Sequence, residues 1–119
     1  MGYQSVFTKS ITGATQGDGE QVIDVSGSYE GIEENKVRNP RFLALTNWQL
    51  QFIVSGSPTA GTATISVKSP GASGFADLST TVDLIKGPLL VSFEALAEEI
   101  KVTPDSFDGD SFDVVLIAS

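Results

Sequence analysis

Apolar and polar residues alternate with a period of two along most of this chain, in runs of five to nine residues. The clearest run covers 47–54. Trp48, Leu50, Phe52 and Val54 fall on one side, with Gln49 and Gln51 on the other and Ile53 as the exception. A period of two places successive side chains on opposite faces of a strand, so this run predicts a half-buried β-strand. In 61–68, Ala63, Ile65 and Val67 oppose Thr62, Thr64, Ser66 and Lys68. In 111–118, Phe112, Val114 and Leu116 form the inward set. Looser alternation predicts strands over 3–11, 21–25, 80–85 (Val82 and Leu84 inward), 89–93 and 98–103.

Turn chemistry separates these runs. It includes Asp18-Gly19 within a flexible loop over 13–19, Ser55-Gly56-Ser57-Pro58, a Gly/Ser loop over 69–74, Gly87-Pro88 and a polar loop over 104–110. Residues 94–99 are good helix formers, but the stretch is too short for a stable helix and reads as a turn into the next strand. About eight short strands punctuated in this way predict an all-β fold, a single antiparallel β-sandwich of jelly-roll or Greek-key type. No helical period lasts long enough for a crossover helix, which argues against an α/β fold. Alternation does not encode strand order, so the connectivity stays open at this point.

One segment breaks the pattern. In 26–41, Gly27, Gly31 and Pro40 interrupt any regular element. Glu30, Glu33 and Glu34 lead, and Lys36, Arg38 and Arg41 follow. A short helical turn is expected near 32–36. A loop of this length in a compact domain is often functional. Its acidic and basic halves can pair with each other, or with the opposite halves of a second copy. The predicted organisation is thus one domain over 1–119, with an N-terminal arm or edge strand at 1–12 and an interaction loop at 26–41. The candidate interaction residues are Tyr29, Glu30, Glu33, Glu34, Lys36, Arg38 and Arg41.

Charge and composition narrow the function classes. Fifteen acidic residues oppose seven basic ones, for a net charge of −8. Such a surface repels nucleic acid and anionic membranes and suits a basic patch on a protein partner. There is no cysteine and no histidine. Disulfides, Cys- or His-based nucleophile systems and the common zinc ligand sets are therefore excluded. No segment approaches the roughly 18 apolar residues of a membrane-spanning helix. The start, Met1-Gly2-Tyr3-Gln4-Ser5-Val6, lacks the charged and apolar regions of a signal peptide. The expectation is a soluble protein that leaves a cell only inside something larger.

Candidate chemistry is sparse. Asp105, Asp108 and Asp110, with Gly109 between them, offer clustered oxygens of the kind a hard cation takes. The spacing does not match an EF-hand loop, and the closing Glu is missing. The preferred reading of the same residues is a hairpin with an Asp-Gly turn. Glycoside hydrolysis needs two carboxyls about 5–9.5 Å apart, one of them with a raised pKa, and no acid here lies in an aromatic-rich stretch that would desolvate it. Trp48 is in phase with core residues and reads as core; Tyr29 is the better candidate for an exposed aromatic. No catalytic residue and no cofactor is expected.

The C-terminal part carries a family likeness. Gly61-Thr62-Ala63-Thr64-Ile65-Ser66-Val67-Lys68-Ser69-Pro70-Gly71 leads to Phe75-Ala76-Asp77-Leu78 and Thr81-Val82-Asp83-Leu84. Gly87-Pro88-Leu89-Leu90-Val91-Ser92-Phe93-Glu94 and Glu99-Ile100-Lys101-Val102-Thr103-Pro104 follow, and after a Gly-Asp turn comes Ser111-Phe112-Asp113-Val114-Val115-Leu116. Over roughly 40–119 this resembles the small β-sandwich virion proteins of tailed bacteriophages, found as capsid decoration (cement) proteins and as tail or baseplate accessories. The resemblance implies a non-enzymatic structural protein of the virion, assembled in the host cytoplasm. Its expected partner is a major capsid protein or another virion protein, and it is expected to act as a homo-oligomer, with residues 1–12 and 26–41 making the contacts. A tail or baseplate accessory is the alternative within that class. A carbohydrate-binding module is the alternative outside it.

Overall fold

The computed structural model describes residues 7–28 and 45–119. Among these, eight strands form: β1 (Phe7–Ala14), β2 (Gln21–Asp24), β3 (Asn47–Ser55), β4 (Thr62–Lys68), β5 (Ala76–Asp83), β6 (Leu90–Glu94), β7 (Glu99–Asp105) and β8 (Ser111–Ala118). They build two four-stranded antiparallel sheets, in the orders β1-β8-β3-β6 and β2-β7-β4-β5. This is the strand order of a jelly roll, one of the two connectivities the alternation allows.

The core is the space between the sheets. In β8, Phe112, Val114, Leu116 and Ala118 are buried; in β3, Trp48, Leu50 and Phe52. Ala63, Ile65 and Val67 of β4 face them from the other sheet, with Ile100 and Val102 of β7. Three of the four central strands, β8, β3 and β4, thus carry the apolar alternation that the sequence displays most clearly. Burying an aliphatic side chain of this size contributes about 1.5–3 kcal/mol, so these strands dominate the stability. Trp48 is 1% exposed and its indole N–H donates to the Ala95 carbonyl at 2.8 Å, which satisfies its one polar atom. Phe93 stacks on it and Phe7 meets it edge-on, both at 6.5 Å.

Several boundaries differ from expectation, each for a local reason. Strand β1 runs on to Ala14, past a register shift between Ile11 and Ala14. The expected flexible loop at 13–19 contains a short 3-10 helix (Gln16–Asp18), closed by a reciprocal capping box between Thr15 and Asp18. Strand β5 starts at Ala76, where Asp77 pairs with Ser66 of β4. It stops at Asp83 because that carboxylate accepts the N–H groups of Ile85 and Lys86 and turns the chain. Ser66, expected to point outward, is 1% exposed and donates its hydroxyl to Asp77 at 2.5 Å.

The Asp108-Gly109 turn does not close a hairpin. Strands β7 and β8 lie in different sheets, so residues 106–110 arch over the end of the sandwich. Nor is the loop polar throughout: Phe107 is buried and meets Phe112 edge-on at 5.5 Å, and Pro104 is buried within β7.

Leu116→Ala should cost about 2–5 kcal/mol, because Leu116 has no exposed surface and the central strand around it has little room to collapse. Val22→Thr, at an exposed position of an edge strand, should stay within about 0.5 kcal/mol. Urea unfolding of both variants checks the contrast.

Candidate functional site

The jelly-roll order sends the connections of the sandwich to two ends. At one end gather the β1–β2, β3–β4, β5–β6 and β7–β8 connections, which include Asp105, Asp108 and Asp110. The side chain of Asp108 is already engaged there. Its Oδ1 accepts the N–H of Thr59 at 2.8 Å and of Ala60 at 3.1 Å, and its Oδ2 accepts the Thr59 hydroxyl at 2.5 Å. Asp110 lies against Gly56, and its N–H donates to the Ser55 carbonyl at 3.0 Å. A Cβ at Gly56, which has φ +90°, would come within 2.8 Å of the Asp110 backbone, so this approach requires glycine. Asp105 is exposed at the end of β7. Among the described residues no three acids stand together so as to hold a metal ion. The Asp108 carboxylate thus joins two arches, and the three acids do not converge on a common point.

Gln16 and Phe107 complete that end, and neither stands out in the sequence. The Gln16 side chain accepts the Phe107 N–H at 2.7 Å and donates to the Pro104 carbonyl at 3.2 Å. Gly61, with φ +148°, leaves room for the Phe107 ring, which a Cβ there would meet at 2.8 Å. A lone aromatic between two aspartates was the only sequence signal of this plug.

At the opposite end lie the β2–β3, β4–β5 and β6–β7 connections and the start of β1. Val25 donates its N–H to Glu98 O, Glu98 to Lys68 O, and Leu45 to Ser28 O. Gly27 sits against the Phe7 ring, which a Cβ there would meet at 2.8 Å. The described flanks of the two expected contact segments, 1–12 and 26–41, thus come together. Tyr29, Glu30, Glu33, Glu34, Lys36, Arg38 and Arg41, the helical turn near 32–36 and the start of the arm at 1–6 lie outside the described residues. Next to this end a shallow groove of about 410 Å³ opens between Asn47, Gln49, Ser92, Glu94, Ile117 and Ser119.

No protein-family model matches the chain, and no curated protein sequence matches it. Among solved structures there are likenesses of fold at low identity. The SPBc2 prophage-derived protein YomS superposes with a TM-score of 0.57 at 10% identity, over 100% of this chain and 99% of that one. The Yersinia pseudotuberculosis-derived mitogen YPM gives 0.44 at 12% identity, over 96% of this chain and 82% of that one. At such identity the likeness to YomS is one of fold, and it extends over both chains almost completely.

Three aspartates are held in their charged form by the hydrogen bonds they accept. Thr59, through its hydroxyl, and the Ala60 and Thr59 amides hold Asp108 below the ordinary aspartate range. The amides of Lys86 and Ile85 do the same for Asp83, and the amide and hydroxyl of Ser26 for Asp24. A general acid needs the opposite shift. A carboxylate with a lowered folded-state pKa adds stability above its unfolded pKa, and that contribution is lost as pH falls through the folded value. Asp108→Ala should therefore lower Tm at pH 7, and its deficit against the parent should shrink below about pH 4. Thermal melts of both proteins between pH 7 and pH 2.5 check this; a deficit that ignores pH would remove the assigned role.

Proposed function

We propose that this chain is a non-enzymatic structural protein of a phage virion, a capsid decoration protein that binds the outer shell and stabilises it. The observation that carries the reading is the correspondence of fold, over the whole of both chains, with a prophage-derived protein. Two features support it. The acids with shifted pKa cap turns, and the chain has no His or Cys, so its ionisable groups suit a scaffold better than a reaction centre. The described flanks of 1–12 and 26–41 also meet at one end of the sandwich, so two contact segments issue from a single rigid base.

The mechanism is passive bridging. A sandwich with a cross-braced end deforms little, so segments anchored at its other end hold two neighbouring shell subunits at a fixed separation. The net charge of −8 favours a basic patch on the major capsid protein and discourages contact with nucleic acid. A partner that binds only the assembled shell stabilises it by mass action, the more so in many copies.

Purified shells lacking decoration should take up the protein in many copies and gain thermal stability. Binding is read by sedimentation, and disruption temperature by calorimetry. Failure to bind such shells, with the protein located instead on the tail of a purified particle, would replace decoration by a tail or baseplate role. Glycan binding by the free domain would point to the carbohydrate module.

A further inference from the structure

Among the described residues, the outward face of the β1-β8-β3-β6 sheet carries no charge across its centre. One cross-strand row there runs Thr8, Ile117, Gln49, Ser92. The next runs Ser10, Val115, Gln51, Leu90. Leu90 is 49% exposed, and so is Ile53 beyond it at 46%, both high for aliphatic side chains. Among the described residues charge returns at the margins, with Glu94 at the end of β6 and Asp113, whose carboxylate accepts the Gly13 N–H at 2.7 Å. The outward face of the other sheet is built differently. Lys68 pairs there with Glu98 and Glu99 at 3.2 and 3.8 Å, and Lys101 pairs with Glu20 at 3.7 Å and lies over the Phe75 ring.

We infer that the uncharged face docks a second copy of this chain, face to face about a two-fold axis. The inference rests on reading the protein as an assembling structural component, and it names the surface through which it self-associates. Two copies of a chain of net charge −8 repel each other, and contact through the face with the fewest charges keeps the carboxylates furthest apart. At a two-fold axis a residue meets its own copy, so the surface must complement itself. Gln, Ser and Thr both donate and accept hydrogen bonds and satisfy that condition; a carboxylate only accepts and does not. The extent also fits. Three strands of eight or nine residues and the five-residue β6, about 4.8 Å apart, span roughly 19 by 27 Å in projection, less a corner beyond β6. With side-chain relief this is on the scale of the ~800 Å² per partner of a stable interface.

Sedimentation velocity on the full chain should show a monomer–dimer equilibrium that raised salt leaves intact or strengthens, since salt screens the repulsion between copies. The double substitution Gln49→Glu, Gln51→Glu should weaken the dimer at least about tenfold while the far-ultraviolet spectrum stays native. Thr64→Glu, on the outward face of the other sheet, should leave it unchanged. Mixing Gln51→Glu protein with Gln51→Lys protein should restore pairing. A monomer at every concentration, a dimer dissociated by salt, or a dimer indifferent to Gln49→Glu, Gln51→Glu would each overturn the inference. Shell uptake is measured separately, so a monomer that still decorates shells removes this interface and leaves the proposed function standing.

Discussion

Among the eight described strands, six of the seven successive pairs lie in different sheets; only β4 and β5 are neighbours in one. Neither sheet can therefore form by itself. β8 finds its partners in β1 and β3, and β7 finds its own in β2 and β4, across long stretches of chain. What holds these distant segments in place is the burial of one face of each strand against the opposing sheet. Non-local pairing costs loop-closure entropy before any contact offsets it. That cost explains why the central strands carry an unbroken inward set of large apolar residues.

An arch between sheets leaves backbone groups that no ladder partner can satisfy, and each is costly if buried bare. The acidic residues supply many of the missing acceptors. Asp108 takes two amides and a hydroxyl from the neighbouring arch, Asp83 two amides in its own turn, and Asp18 the Thr15 amide. Part of the −8 charge is thus a by-product of the connectivity: carboxylates are good acceptors for amides at turns, and a jelly roll has many turns. These acids gather at the ends, and the ion pairs of Lys68 and Lys101 lie on the β2-β7-β4-β5 side, while the centre of the other face is neutral.

Legibility in the sequence followed the period. Strands β3, β4 and β8 could be read nearly residue by residue, Trp48 included, because strict alternation has a single burial solution. Partners could not be read, since alternation fixes which way a side chain points and not which strand lies beside it. The largest misreading was the loop at 104–110. The buried state of Phe107 depends on Gly61 and Gln16, both far away in the chain, and nothing next to Phe107 announces them. Ser66 was misplaced for a similar reason: its cover comes from outside its own strand, and its hydroxyl finds Asp77 on β5. The neutral outer face was visible in principle. In Val114-Val115-Leu116-Ile117 the outward positions are as aliphatic as the inward ones, which a strand facing only water does not need.

That last pattern bears on why the two ends of the molecule differ. The end built from residues 15–20, 56–61 and 106–110 is cross-braced by side chains reaching between arches. At the other end the described bonds are mostly backbone to backbone, between Val25, Ser28, Leu45, Glu98 and Lys68. Side chains add to them, Asp24 accepting the Ser26 amide and hydroxyl and Lys68 pairing with Glu98 and Glu99, and the groove beside Ile117 and Ser119 opens there. Substitutions of Gln16 or Asp108 at the braced end should therefore register first in stability.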